Sequence, residues 1–258
     1  MTKYETISTV ISIIAIVLTI LIPLSQWVWK KWIMTAKVKF YPTGQTSLFF
    51  NQSGSYIRLN GVLESERSAA TIKKLSVVIT RKNDERKLNL SWSYLISPVN
   101  QSMLGNYVQT MEAAHPFRVE ADSVACAFAE YSDPNDSSGK KIRKICSDLV
   151  HSIQQIASSE HSYDEALALF CKSPEYIDAK NSLLSDFFWE IGKYTIVVSV
   201  EYGKKKTKEF SYGFTVSEQD SFDLRTNIDE SLIAKLKEYF RVSWSFKTAM
   251  VEISETKS

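Results

Sequence analysis

With 258 residues, of which 44% are apolar, the chain has the length and core-forming content for one large or two small folded domains. A formal net charge of +2 excludes the global positive field of a nucleic-acid protein, so any anion site must be a local patch. Eight glycines and six prolines, without low-complexity tract or internal repeat, confine expected disorder to residues 255–258 and 133–139.

Residues 6–29, TISTVISIIAIVLTILIPLSQWVW, carry no charged side chain and are followed by Lys30 and Lys31. As a helix they would rise about 33–36 Å, enough for a hydrocarbon core of about 30 Å. The expectation is one transmembrane helix, with Trp27, Trp29 and Trp32 in the interfacial belt. A cleaved signal peptide would have a shorter apolar region and a small-residue site, and no A-x-A pattern is present. A buried helix of a globular domain is the weaker alternative, because the run is apolar almost all round and stands at the extreme N-terminus. Lys30, Lys31, Lys37 and Lys39 outweigh Lys3, which Glu5 offsets. The positive-inside bias then places the C-terminal part in the cytoplasm of a single-pass inner-membrane protein, with residues 1–5 outside. Cys126, Cys146 and Cys171 are odd in number and lack C-x-x-C spacing, which suits a reducing compartment and small buried hydrophobes rather than metal ligands.

Along this helix Ser8, Ser12, Ala15, Thr19 and Gln26 fall within about 40° of a common line at 100° per residue, opposite Ile11, Ile14, Leu18 and Leu21. Small and hydroxyl side chains favour close helix–helix approach, and polar groups at membrane depth can line a pore. The plain alternative is an anchor whose hydroxyls bond their own helix. Pro23 is expected to kink it.

Beyond residue 35 a period of two dominates. Ile57–Leu63, Leu75–Ile79 and Leu88–Tyr94 alternate apolar and polar, the mark of half-buried antiparallel strands. Asn83-Asp84 turns the second into the third. Strand signals recur at Phe117–Val119 and Val124–Phe128, while residues 96–114 give no pattern. The clearest hairpin has Tyr194, Ile196, Val198, Val200 and Tyr202 on one face, turns near Gly203-Lys204, and returns through Phe210, Tyr212, Phe214 and Val216. Its entry, WEIGKYTI over residues 189–196, resembles a late strand of an immunoglobulin-like sandwich, a likeness that bears on fold and not on function.

Helical spacing replaces alternation at Ile142, Ile145, Leu149, Ile153 and Ile156. A capping box at Ser162-Tyr163-Asp164-Glu165 opens a second helix, and Ser173-Pro174 a third that runs toward Phe187. A further helix is expected from Asn227 through Phe240, and a strand over residues 242–253. The expected architecture is mainly β, an immunoglobulin-like sandwich over residues 35–258 with a helical insertion at about 138–190, preceded by a membrane segment over residues 1–34.

No enzyme signature is present. Ser138-Gly139-Lys140-Lys141 lacks the first glycine and the hydroxyl of a P-loop. His115, His151 and His161 have no metal or triad spacing, and neither catalytic residue, metal nor cofactor is nominated. Two basic clusters stand out: Lys140, Lys141, Arg143 and Lys144 at a helix start, and Lys204, Lys205, Lys206 and Lys208 at a hairpin tip. Cations at a helix N-terminus oppose its dipole unless an anion sits there, which makes the first cluster the candidate ligand contact. The alternative is a solvated face balanced by Asp133, Asp136 and Asp148. The hairpin lysines would touch anionic lipid or guard a strand edge.

The layout of an N-terminal membrane helix and a cytoplasmic domain resembles small membrane effectors of bacterial anti-phage defence. That resemblance implies an oligomeric, channel-like or membrane-permeabilising protein gated by a nucleotide or single-stranded oligonucleotide. In it Ser8, Ser12, Thr19 and Gln26 would form the pore or helix interface. The competing expectation is a non-catalytic membrane-anchored adaptor whose β-domain binds a partner protein.

Overall fold

The computed structural model describes residues 3–29, 35–103, 106–158 and 162–255, with the side chains of 12–29, 35–97, 110–158 and 162–255. Ser8's side chain, Lys30, Lys31, Trp32, His161 and the ends 1–2 and 256–258, on which parts of the sequence reading fell, lie outside them. Elements follow in the order α1 (Lys3–Val28), β1 (Lys37–Asn51), β2 (Gly54–Glu66), β3 (Ala70–Arg81), β4 (Lys87–Met103), β5 (Asn106–Ala113), β6 (Phe117–Val119), β7 (Ser123–Cys126) and β8 (Ala129–Ser132). Four helices come next, α2 (Ser137–Asp148), α3 (Val150–Ser158), α4 (Tyr163–Cys171) and α5 (Pro174–Asp186). They are followed by β9 (Gly192–Tyr202), β10 (Lys206–Val216), α6 (Glu218–Tyr239), β11 (Ala249–Glu252) and β12 (Ser254–Glu255).

The strands form one antiparallel sheet in the order β11-β1-β2-β8-β4-β3-β9-β10-β12, with β5, β6 and β7 branching from β4, β3 and β2. Because β11 and β12 are consecutive pieces of one segment, the two ends of that order are covalently continuous. β11 pairs with β1 through Gln45–Leu48, β12 pairs with β10 at Tyr212 and Gly213, and the Ile253 N–H between them donates to the Gly44 carbonyl at 2.8 Å. The sheet is therefore a nearly closed barrel, which corrects the expected immunoglobulin-like sandwich. A sandwich leaves edges on both of its sheets, whereas here the last strands bridge the first and the tenth.

Alternation fills the interior. Ile57, Leu59, Leu63, Leu75, Val77 and Ile79 are at most 1% exposed, and so are Tyr194, Ile196, Val198 and Val200 opposite them. At the seam the Tyr212 hydroxyl donates to the Phe40 carbonyl at 2.7 Å while the two rings meet edge-on at 6.2 Å. Burial pushes that phenol up to about 12. Gly61 sits beneath Phe40, where a Cβ would come within 2.4 Å of the ring, so close packing of the seam excludes any larger residue.

Helices cover one side. α6 packs on β1, β11, α3, α4 and α5, burying Leu224, Ile228, Leu232 and Leu236. It starts at a capping box on Ser217, ten residues before the predicted Asn227, because its first turns are polar and hide the period. Asn227 is instead a buried clamp. Its amide donates to the carbonyls of Phe50 at 2.9 Å and Lys247 at 2.8 Å and accepts from the Lys247 N–H at 2.8 Å, joining β1, α6 and the approach to the closing strand. The predicted long helix over 142–156 is two, with a junction at Leu149, while the capping box at Ser162 and Pro174 in the first turn of α5 form as predicted.

Between α5 and β9 the buried run Phe187-Phe188-Trp189 closes one end of the barrel. Arg81 holds it: the guanidinium grips Asp84 at 2.8 and 2.5 Å and donates to the Phe188 carbonyl at 3.1 Å. The indole of Trp189 donates to Phe49 at 2.9 Å.

The expected transmembrane helix is corrected too. Among the described residues no helix is both long and apolar enough to cross a membrane. Within α1 the apolar run is interrupted by Thr19, Pro23, Ser25 and Gln26, polar or helix-weakening residues that a spanning segment would have to carry through the hydrocarbon. The single-pass inner-membrane placement and the labels drawn from it, channel among them, lose that support.

Replacing Asn227 with Ala strands buried partners on two segments at once. It should lower the unfolding free energy by about 2–4 kcal/mol in denaturant titration without changing the far-ultraviolet spectrum. The Arg81 guanidinium lowers the Asp84 carboxyl from its usual 3.8 to about 2. Because the folded value is depressed, the pair's contribution is complete above the unfolded value and is lost as pH falls from there through about 2. An NMR titration should show that low midpoint for Asp84 and its return toward 3.8 in Arg81→Gln.

Candidate interaction surfaces

α1 is the most exposed element. No described side chain between residues 12 and 29 is buried, and Ile16 and Ile20 are 61% and 63% exposed. The apolar residues occur on every side, so the exposure is not one face left over from packing. On the polar stripe, Thr19 donates to the Ala15 carbonyl of its own helix at 2.7 Å and neighbouring Ser25 to Ile22 at 2.8 Å. Ser12 and Gln26 are exposed with the rest.

The α2 cluster is placed at the helix start, as spacing predicted, but the chain supplies its counterions. Lys141 pairs with Asp186 at 2.5 Å and Arg143 pairs with Asp136. Lys140 donates to the Asn135 carbonyl at 3.1 Å, and Lys144 is exposed. Asp133 occupies the helix start itself, accepting from the N–H groups of Asn135 at 2.9 Å and Ser137 at 2.8 Å. Burial opposes ionisation of Asp133, yet those backbone donors hold its carboxyl below the usual range. An anion does sit where the dipole asks for one, and it is a side chain.

Lys204, Lys205, Lys206 and Lys208 project from the β9–β10 tip, all exposed. Gly203 and Lys205 have φ of 57° and 60°, the left-handed values that make so tight a turn.

A third surface was invisible in the sequence. On the outer side of β1, β2 and β8, Phe49 and Tyr56 stack at 4.6 Å, Arg58 lies over Phe49 at 4.9 Å, and its Nε donates to Glu130 at 2.9 Å. These side chains come from three strands, and only their cross-strand register assembles them.

A cleft of about 470 Å³ opens on the same outer surface between β3, β4 and the β8–α2 connection, lined by Lys73, Lys74, Ser91, Trp92, Ser93, Ser132, Asp133 and Pro134. Another, of about 430 Å³, lies along α6 beside Trp244, but its charges are paired internally, Glu230 with Lys237 at 2.8 Å and Lys247 with Asp223 at 2.6 Å. Cys146 is half-buried against Ser231 and burial raises its thiol to about 11. No group of three or more His, Cys, Asp or Glu side chains among the described residues could hold a metal.

No family model and no curated protein matches the chain. A solved structure of a family 123 glycoside hydrolase from Clostridium perfringens aligns with 70% of this chain and 27% of its own, at 11% identity and a TM-score of 0.30. That likeness is too low to carry an argument.

Because the α2 ion pairs are solvent-exposed, each contributes roughly 0.2–1 kcal/mol. Changing Lys140, Lys141, Arg143 and Lys144 together to Gln should therefore lower the melting temperature by a few degrees at most. A loss of cooperative unfolding in calorimetry would show that the cluster supports the fold.

Proposed function

We propose that the protein is a self-assembling, non-catalytic docking protein, in which α1 helices of several copies cover one another and the β-domain binds a partner protein. The observation that carries this is α1 itself: a helix of 26 residues whose described side chains are mostly apolar and all exposed. Exposed apolar surface costs about 25 cal/mol per Å² relative to burial, so such a helix associates in water. A second copy offers an identical surface and is the simplest cover, since symmetric self-association needs no separate partner.

Binding rather than catalysis is favoured by where the displaced titratable groups lie. Tyr131, Tyr176, Tyr194 and Tyr212 are raised first of all by burial in the core, and Asp133, the displaced group in the lysine cleft, is held by the backbone donors that start α2. The Phe49–Tyr56–Arg58 surface has the aromatic and arginine composition that dominates binding energy at protein interfaces. The channel-like effector reading needed a spanning helix and is not carried forward, while its oligomeric part is retained here.

Light scattering of the full chain at micromolar concentration should give a mass of two or more copies. Ile16→Glu with Ile20→Glu would bury unpaired carboxylates in the helix contact, at a cost of several kcal/mol. That variant should be monomeric with an unchanged thermal transition of the β-domain. A monomeric parent overturns self-assembly. If that monomer also sediments with phospholipid vesicles, lipid is what covers α1.

A further inference from the structure

The lysine cleft lies at a fork in the sheet. The ladder between β3 and β4 ends at Ser76 opposite Ser91. Beyond it β3 turns to pair with β6, and β4 turns to pair with β8 and β5. A register shift marks each strand at the fork, between Ile72 and Lys74 on β3 and between Trp92 and Tyr94 on β4. Bulges of this kind re-aim side chains. In a regular strand Lys73 and Lys74 would point to opposite faces, yet both line the same cleft.

The chemistry of the lining is uneven in a useful way. Lys73 and Lys74 are exposed, and neither takes part in an ion pair among the described residues. Across the fork stand the hydroxyls of Ser91, Ser93 and Ser132. Ser91 and Ser132 are directly opposite one another in register, and Ser93 donates to the Glu130 carbonyl at 3.1 Å, leaving its oxygen able to accept. The acidic residue of the lining, Asp133, accepts from the backbone N–H groups at the start of α2 and is not ion-paired to either lysine, so the lining carries two ammoniums against one carboxylate. Lys140, bonded to the Asn135 carbonyl, adds an ammonium one residue beyond the Pro134 wall. Trp92 also lines the cleft, its half-buried indole tilted against Phe117 at 6.2 Å.

Two adjacent ammoniums, several hydroxyls and an indole in a space of ligand size suit one class of molecule. We propose that this cleft binds a small organic phosphate monoester, its phosphoryl oxygens held by Lys73 and Lys74 with the serine hydroxyls, and its organic ring against Trp92. The docking role of the β-domain does not depend on this site, because the Phe49–Tyr56–Arg58 surface is formed by other side chains.

The test is calorimetric titration of the full chain with phenyl phosphate, inorganic phosphate and phenol. Phenyl phosphate should bind saturably, more tightly than inorganic phosphate, and phenol should not bind. Lys73→Gln with Lys74→Gln removes two exposed charges without touching the core and should weaken phenyl phosphate binding by roughly tenfold or more. Lys141→Gln with Arg143→Gln and Lys144→Gln should change it less than about twofold, since their charges are spent elsewhere or lie outside the cleft. Undiminished affinity in the Lys73/Lys74 variant overturns the site, as does absence of saturable binding by the parent. Equal affinity for phenyl phosphate and inorganic phosphate overturns the role of Trp92, and a greater loss in the α2 variant moves the anion to α2.

Discussion

Everything in this fold depends on satisfying the open edges of β1 and β10. A strand edge buried without partners would leave rows of N–H and C=O groups unbonded, and each such group is expensive. The chain meets the requirement with a short C-terminal segment that bonds β1 on one side and β10 on the other. Along β1, before the stretch that β11 pairs, the Tyr212 hydroxyl reaches the Phe40 carbonyl directly. The segment is too short to hold itself, and Asn227 fixes its approach by binding Lys247 while binding Phe50 at the end of β1. The covering helix is thus part of the closure rather than an addition to it.

The same requirement explains the polar outer surface. With most apolar alternates turned inward, the outer surface is largely serine, threonine, lysine and glutamate, with single exposed apolar residues such as Tyr41, Val124 and Met250 and two distinct features, the Phe49–Tyr56–Arg58 group and the fork at Ser91. The first is built by regular cross-strand register between β1, β2 and β8, the second by strands that change partner and register. α1 stands apart from this economy. Its apolar side chains face outward, and they are the surface that the proposed self-association would cover.

How much of this the amino-acid order discloses follows from the range of each signal. Ser162 with Glu165 and Ser173 with Pro174 are read within four residues, and both start helices as read. Tyr194 through Tyr202 alternates over a full strand and pairs without interruption with β10. β1 went unread because its bulge between Pro42 and Thr46 breaks the alternation. Residues 242–253 looked like one strand but form only a short one, since Asn227 takes the pairing of Lys247. The hairpin entry at Trp189 resembled a sandwich because that local pattern is shared by sandwiches and barrels, and only pairing across the whole chain separates them. The basic cluster of α2 was legible as charge, but its counterion Asp186 lies 45 residues away. Lys73 drew no notice, because a bulge is a property of two strands and one sequence shows only one of them.

Closure by β11 also sets an order of events. Leu48 of β1 pairs with Ala249, so roughly 200 residues must leave the ribosome before that edge finds its partner. At about 5–20 residues per second, the wait is on the order of 10–40 s. Through that interval the nascent chain presents an unpaired β1 edge together with the apolar α1 that precedes it. The newborn protein is therefore a substrate for chaperones for longer than its size alone would dictate. A stop codon between the end of β10 at Val216 and residue 249 would leave a chain that has made its other strands and lacks the segment that closes the sheet.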